Sequence, residues 1–110
     1  MPEMTLSEAL RQAMDEELAR DECVFITGED VGPRGGVFRA TQGLFEKYGA
    51  KRIIDSPLAE LSIVGIGIGA ALYGMRPICE IQFADFIFPA FNQILNEAAR
   101  MYYRSGGEWA

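Results

Sequence analysis

Apolar and polar positions recur along this chain in two rhythms, one near 3.6 and one near 2, and the switches between them outline its elements. In TLSEALRQAMDEELARDE the apolar residues Leu6, Leu10, Ala13, Met14 and Leu18 return at helical intervals. Thr5 and Glu8 precede them at the spacing of a capping box, which predicts a first helix over about residues 5–20. CVFIT is a compact β-rich run, and GEDVGPRGG then supplies four glycines and a proline in nine residues, so a strand feeds a long loop. TQGLFEKYG reads as a short helix from Thr41 stopped by Gly49. RIID is a second strand that must end before Pro57. From Ala59 to Gly74 the chain is apolar all round, as in a helix buried on most faces. PICEIQF predicts a third strand. PAFNQILNEAARMYYRS predicts a last helix with Phe91, Ile94, Leu95, Ala98 and Met101 on one stripe, ending at Gly106.

Helix and strand alternate throughout, the order of an α/β layer with a mainly parallel sheet flanked by helices. Parallel sheets need cover on both faces and usually more than three strands. The 110 residues therefore read as the front part of a larger domain.

Composition narrows the chemistry. The hydrophobic share of 49% is ample for a packed core, and the net charge of −6 argues against a sequence-independent grip on nucleic acid or anionic lipid. The longest apolar stretch, Leu61 to Tyr73, runs thirteen residues, short of the roughly 20 a membrane span needs. The N-terminal residues lack the pattern of a signal peptide. Cys23 and Cys79 both fall in strand-like runs and fit a reducing compartment, so a cytoplasmic protein is expected. Histidine is absent, which removes a histidine base and the commonest metal ligand. The acidic run MDEELARDE reads as a solvated helix face and not as a metal site.

Gly65, Gly67 and Ala70 match G-x-G-x-x-A, the fingerprint of dinucleotide-binding folds. In that motif the first glycine makes the turn directly after a strand, whereas Gly65 lies ten residues beyond Asp55, inside the predicted helix. Close helix packing is the alternative. Gly65 and Gly69 share a helical face, and each glycine costs roughly 1 kcal/mol of helix stability that close packing must offset.

Glu60 poses a separate question, since it stands between the RIID strand and the apolar helix, where an unpaired buried carboxylate would cost several kcal/mol. A carboxylate at a helix start also has an ordinary role, favoured by about 0.3–1 kcal/mol through the helix dipole.

GEDVGPRGGVFRATQGLFEKYG, RIIDSPLAELSIVGIGIGAAL, EIQFADFIFPAFNQILNEAAR and YYRSGG, in unbroken order from Thr5 onward, resemble the β subunit of the thiamine-diphosphate-dependent decarboxylase component of 2-oxo-acid dehydrogenase complexes. EIQFADFIFPAFNQI is most similar to the branched-chain (2-oxoisovalerate) type, with pyruvate enzymes next. The family's subunit is roughly three times longer, so the resemblance makes residues 1–110 the N-terminal part of a pyrimidine-binding, transketolase-like domain. Its pattern of a glutamate, four residues, then glycines and apolar residues stands here as Glu60 followed by Gly65, Gly67 and Gly69.

The resemblance implies a fold, a cofactor and partners. Glu60 becomes the acid hydrogen-bonded to a pyrimidine ring nitrogen of thiamine diphosphate, stabilising the imino form that deprotonates the thiazolium. Phe86 becomes the aromatic face against the pyrimidine, where many branched-chain relatives carry tyrosine. Leu58 supplies a backbone contact to the pyrimidine amino group, Gln82 a polar contact near the ring, and Glu29 a second carboxylate near the cofactor channel. The α subunit, in an α2β2 heterotetramer, holds the diphosphate and its Mg²⁺, so this chain carries no metal site. The implied reaction is oxidative decarboxylation of a 2-oxo acid with acyl transfer to the lipoyl group of a partner acyltransferase, and the isolated chain is expected to be inactive. The alternative is an interaction fragment that packs through its glycine-rich helix and catalyses nothing.

Overall fold

The computed structural model describes residues 3–109. Helix α1 (Leu6–Arg20) leads into strand β1 (Val24–Gly28), followed by α2 (Leu44–Tyr48), β2 (Ile53–Asp55), α3 (Glu60–Leu72) and β3 (Arg76–Cys79). A 3₁₀ turn at Ala84–Phe86 then opens α4 (Ile87–Asn92), which runs through a π-helical segment, Gln93–Ala98, toward α5 (Met101–Arg104). The predicted capping box is present: Thr5 Oγ1 accepts the Glu8 N–H, and the Glu8 carboxylate accepts the Thr5 N–H at 2.7 Å.

The three strands are parallel in the order β2-β1-β3, with Ile26 opposite both Ile53 and Ile78. This is the expected α/β layer. The chain steps from the central strand β1 to one side and then crosses back over it. Right-handed crossovers in opposite directions put α2 and α3 on opposite faces of the sheet.

On one face Leu18, Val24, Ile26, Val31, Leu44 and Ile53 form the core, with Met14, Phe45, Tyr48 and Ile78 packed against it. Arg52 locks this layer from beneath. Its guanidinium donates to the carbonyls of Val24 (2.5 Å), Leu18 (3.0 Å) and Asp21 (2.8 Å), tying the end of α1 to the sheet. Asp15, on the solvated face of α1, accepts Lys47 Nζ at 2.6 Å and Tyr48 Oη at 2.5 Å, which joins α1 to α2 and holds the Asp15 carboxyl below its usual range.

On the other face α3 packs on β3 and α4, burying Ile63 and Ala90. Gly67 makes that approach possible, because a Cβ there would meet Cys79 Sγ closer than real side-chain carbons come. The expected glycine face divides in three. Gly67 meets β3, Gly65 meets Gln93 (3.2 Å from an added Cβ to Oε1), and Gly69 has no atom within 4 Å. The G-x-G-x-x-A match lies wholly within α3, so its first glycine forms no strand-to-helix turn.

Four expectations are corrected. Helix α2 starts at Leu44 and not at Thr41, because Gly43 is left-handed (φ 83°) and the buried Thr41 hydroxyl donates to the Val31 carbonyl at 2.8 Å. Strand β3 stops at Cys79 and not at Phe83, because β1 ends one residue past Thr27, the partner of Cys79; the Glu80 N–H still reaches the Thr27 carbonyl at 2.9 Å. The long final helix passes through a π-helical segment and is broken near Arg100, and of its expected apolar stripe Phe91 and Leu95 are exposed. Helix α3 is also less enclosed than its all-apolar sequence predicts, with Leu61 and Ile66 exposed. Pro89 is accommodated in the first turn of α4, where its missing N–H would have had no helical partner. Among the described residues, no helix is long and apolar enough to cross a membrane.

Candidate cofactor site

The three strands end side by side, Gly28 opposite Asp55 and Thr27 opposite Cys79, and each exit delivers candidate residues to the same edge. In open α/β sheets ligands bind in the crevice outside the carboxyl ends of the strands. Glu29 follows β1 directly. Beyond β2, a turn brings Leu58 and then Glu60, the first residue of α3. Past β3 come Gln82, Phe83 and Phe86.

Glu29, directly after β1, and Glu60, the first residue of α3, come to the same end of the sheet. Burial pushes the Glu29 carboxyl above the usual carboxylate range, the charges of Glu60 and then Asp30 push it further, and a hydrogen bond from the Ala59 N–H partly offsets them. Glu29 Oε1 is buried with no hydrogen-bond partner among the described residues. Gln82 Nε2 donates to the Glu29 carbonyl at 3.3 Å, so the structure joins it to the acid's backbone. Glu29, Glu60 and Gln82 are thus brought together.

Phe86 lies at the end of an aromatic row. Its ring meets Phe83 edge to face at 5.3 Å, and Phe83 meets Phe38 at 5.4 Å. All three rings keep an open face, Phe86 being 43% exposed. Leu58, in contrast, projects its side chain outward at 80% exposure, leaving only its backbone for a site.

Two further carboxylates went unnoticed in the sequence. Asp55 Oδ1 accepts the Gly32 N–H at 2.6 Å, fastening the loop after Glu29 to the end of β2. Glu80 sits under the same loop, close against Gly28, where an added Cβ would lie 2.9 Å from the Glu80 Cβ. Its Oε2 is buried and unpartnered, and burial pushes its carboxyl up. The signal for Asp55 was its place at a strand end before Ser-Pro. Glu80 carried no signal, since a glutamate inside PICEIQF reads as an ordinary outward-facing strand position.

Carboxyl groups at the strand ends, with exposed aromatic rings on the segment that follows β3, suit a flat, nitrogen-bearing ring: an acid can share a proton with a ring nitrogen and aromatic rings can contact its face. Residues 2–107 match the family model "Transketolase, pyrimidine binding domain". The chain belongs to this pyrimidine-binding domain family. It is 58% identical over all 110 residues to the 2-oxoisovalerate dehydrogenase subunit beta of Bacillus subtilis, of which it covers 34%. It is 52% identical over 106 residues to the same subunit of Pseudomonas aeruginosa, 96% of this chain and 30% of that protein. The bovine mitochondrial pyruvate dehydrogenase E1 component subunit beta is 50% identical over 105 residues, 96% of this chain and 29% of that subunit. The chain therefore spans about a third of the length of these relatives. Membership in the pyrimidine-binding family agrees with the parallel α/β layer and with the resemblance drawn from the sequence.

Proposed function

We propose that these residues supply the pyrimidine half of a thiamine diphosphate site in the β subunit of a 2-oxo-acid dehydrogenase, with branched-chain 2-oxo acids the favoured substrates and pyruvate next. One observation carries the proposal: at the strand ends, where Glu60 opens α3, the Glu29 carboxyl has a buried oxygen that lacks a partner among the described residues. A ring bearing polar nitrogens suits that unmet hydrogen-bonding demand, so the residues fit the cofactor. Thiamine diphosphate, when bound, supplies the electron sink for decarboxylation of the 2-oxo acid.

The chain's own part is to bind, orient and hold a proton. Glu60 presents a carboxyl oxygen to a pyrimidine ring nitrogen. Glu60 is the first residue of α3, where the helix dipole favours a negative group. Glu29 follows β1 directly, and burial first and the charge of Glu60 next hold its carboxyl above the usual range, so it keeps its proton to higher pH than a free glutamic acid. Gln82 restrains the backbone of Glu29. Phe86 and the Leu58 backbone line the remaining sides. An α subunit contributes the diphosphate and Mg²⁺ half within an α2β2 assembly, a lipoyl-bearing acyltransferase takes the acyl group, and the enzyme works in the cytoplasm. On this reading the 110 residues are the N-terminal part of the subunit's pyrimidine-binding domain and are inactive by themselves.

In the assembled enzyme, Glu60→Gln is expected to abolish proton exchange at the thiazolium while leaving cofactor affinity within about tenfold, since one neutral hydrogen bond is worth roughly 1 kcal/mol. Exchange at the natural rate in that variant refutes the assignment.

The second reading, an interaction module without turnover, draws on the α3 surface, where Gly69 meets nothing within 4 Å and Ile66 is 64% exposed. Assay with and without an α subunit separates the two: turnover requiring both supports the enzyme, and association without turnover supports the module.

A further inference from the structure

The loop after β1 is fixed at more points than a surface loop requires. Before Glu29, the Ser56 N–H donates to the Gly28 carbonyl at 2.9 Å. At Glu29 itself, Gln82 Nε2 donates to the backbone carbonyl at 3.3 Å. Three residues later, the Asp55 carboxylate takes the Gly32 N–H at 2.6 Å. Asp55 and Ser56 thus brace both flanks of one acid from the end of β2. Gly32 is itself fitted to this contact, because a Cβ there would stand 2.6 Å from Asp55 Oδ2 and 2.9 Å from its Cγ. The short charge-assisted bond and the missing Cβ are complementary halves of one clamp.

We propose that Asp55 is a positioning residue: through the Gly32 N–H it holds the loop so that the Glu29 carboxylate stays against Glu60. This rests on the assignment of Glu60 above. Asp55 acts at a distance, on the backbone three residues past Glu29, and touches no cofactor. Released from the clamp, the stretch around Gly32 can shift while Val31 stays in the core, and a small displacement there moves Glu29 relative to Glu60. Misplacing a reacting group by about 1 Å can cost on the order of 100-fold in rate, so a loss of this kind is readable without any change in substrate binding.

The test is a cycle in the assembled enzyme. Asp55→Ala is expected to lower kcat and the thiazolium exchange rate by about tenfold or more, with KM changed less than about threefold. Asp55→Asn, which retains an oxygen for the Gly32 N–H, should recover most of that loss. Gly32→Ala, which forces the carboxylate aside, should reproduce the Asp55→Ala defect. In a Glu29→Gln background Asp55→Ala should cost less than about twofold more, because two residues acting through one group are not additive.

A second readout needs no cofactor. In the cofactor-free assembly, ¹³C-glutamate NMR should show the Glu29 carboxyl titrating closer to the ordinary glutamic acid value in Asp55→Ala. The charges that act on it, Glu60 and Asp30, are unaltered by that substitution. Hydrogen exchange at Gly32 should quicken in the same variant. Full additivity of the Asp55 and Glu29 substitutions, or an Asp55→Ala enzyme whose only change is a lower melting temperature, overturns the proposal. Should Asp55→Ala fail to fold, faster Gly32 exchange with reduced thiazolium exchange in Gly32→Ala sustains the proposal, and natural values of both in that variant sink it. Failure of the Glu60 assignment registers separately, as natural thiazolium exchange in Glu60→Gln, while the cofactor-free titration still reports on the clamp.

Discussion

Replacing Gly67 with alanine adds one methyl group where α3 comes down on β3. The new Cβ collides with Cys79 Sγ, whereas its next neighbours, Pro77 Cβ and Cγ at 3.6 and 3.7 Å, are at ordinary contact distance. The sulfur cannot simply swing away, being one bond from the Cys79 Cβ, half-buried and 3.5 Å from the Ile63 carbonyl. Overpacking of this kind costs about 1–3 kcal/mol. Alanine returns about 1 kcal/mol in helix propensity, leaving a net loss of about 1 kcal/mol. That loss lowers the melting temperature by roughly 4–8 °C in a domain of this size. Removing the sulfur reverses the sign: in a Cys79→Ala background, Gly67→Ala should stabilise by up to ~1 kcal/mol. Urea unfolding of the four proteins measures the coupling, expected to be at least ~1 kcal/mol. Gly69→Ala, with open space around it, serves as a control and should stabilise in either background. Stabilisation by Gly67→Ala in the natural background, or a coupling below ~0.5 kcal/mol, would refute the argument that this glycine exists to seat the helix.

Arg52→Met should cost about 2–4 kcal/mol, because the carbonyls of Leu18, Asp21 and Val24 lose one shared charged donor, and Arg52→Lys should restore little, since an ammonium lacks the fork geometry; denaturant midpoints check both. Glu80 predicts a pH dependence. The unfolded chain releases this proton near the ordinary glutamic acid value of 4.5, and burial lets the folded chain keep it to higher pH. Stability therefore falls as pH rises from 4.5 through the raised folded value. Glu80→Gln should remove that fall and raise stability at neutral pH, and parallel pH–stability profiles for the two proteins would refute the assignment.

Much of this fold was legible because its signals are local. Thr5 and Glu8 announce α1 by a hydrogen-bond pair that needs no tertiary partner, and the β-rich runs up to Thr27 and Asp55 are bounded by Gly28 and Pro57. Long-range demands were hidden. Whether PICEIQF pairs to its end depends on how far β1 runs, and β1 stops at Gly28. The glycines of α3 look alike in the sequence, yet they meet a sulfur, an amide and empty space, which only packing assigns. Of the site, Glu60 was legible by position and through a family pattern. Glu29 and Glu60, 31 residues apart, come to one end of the sheet only when parallel strands align their ends. Asp55 was missed because its partner is a backbone N–H, which leaves no trace in side-chain chemistry.

Pro77 has a consequence for how copies of this chain meet. Arg76 and Glu80 send their N–H groups to β1, so by alternation the outward donors of β3 belong to positions 77 and 79, and the first of these has none. A stray strand arriving at that border therefore finds a gap in the ladder it would need to zip into place. Any strand that joins the sheet on that side must take its ladder bonds from the residues around the proline.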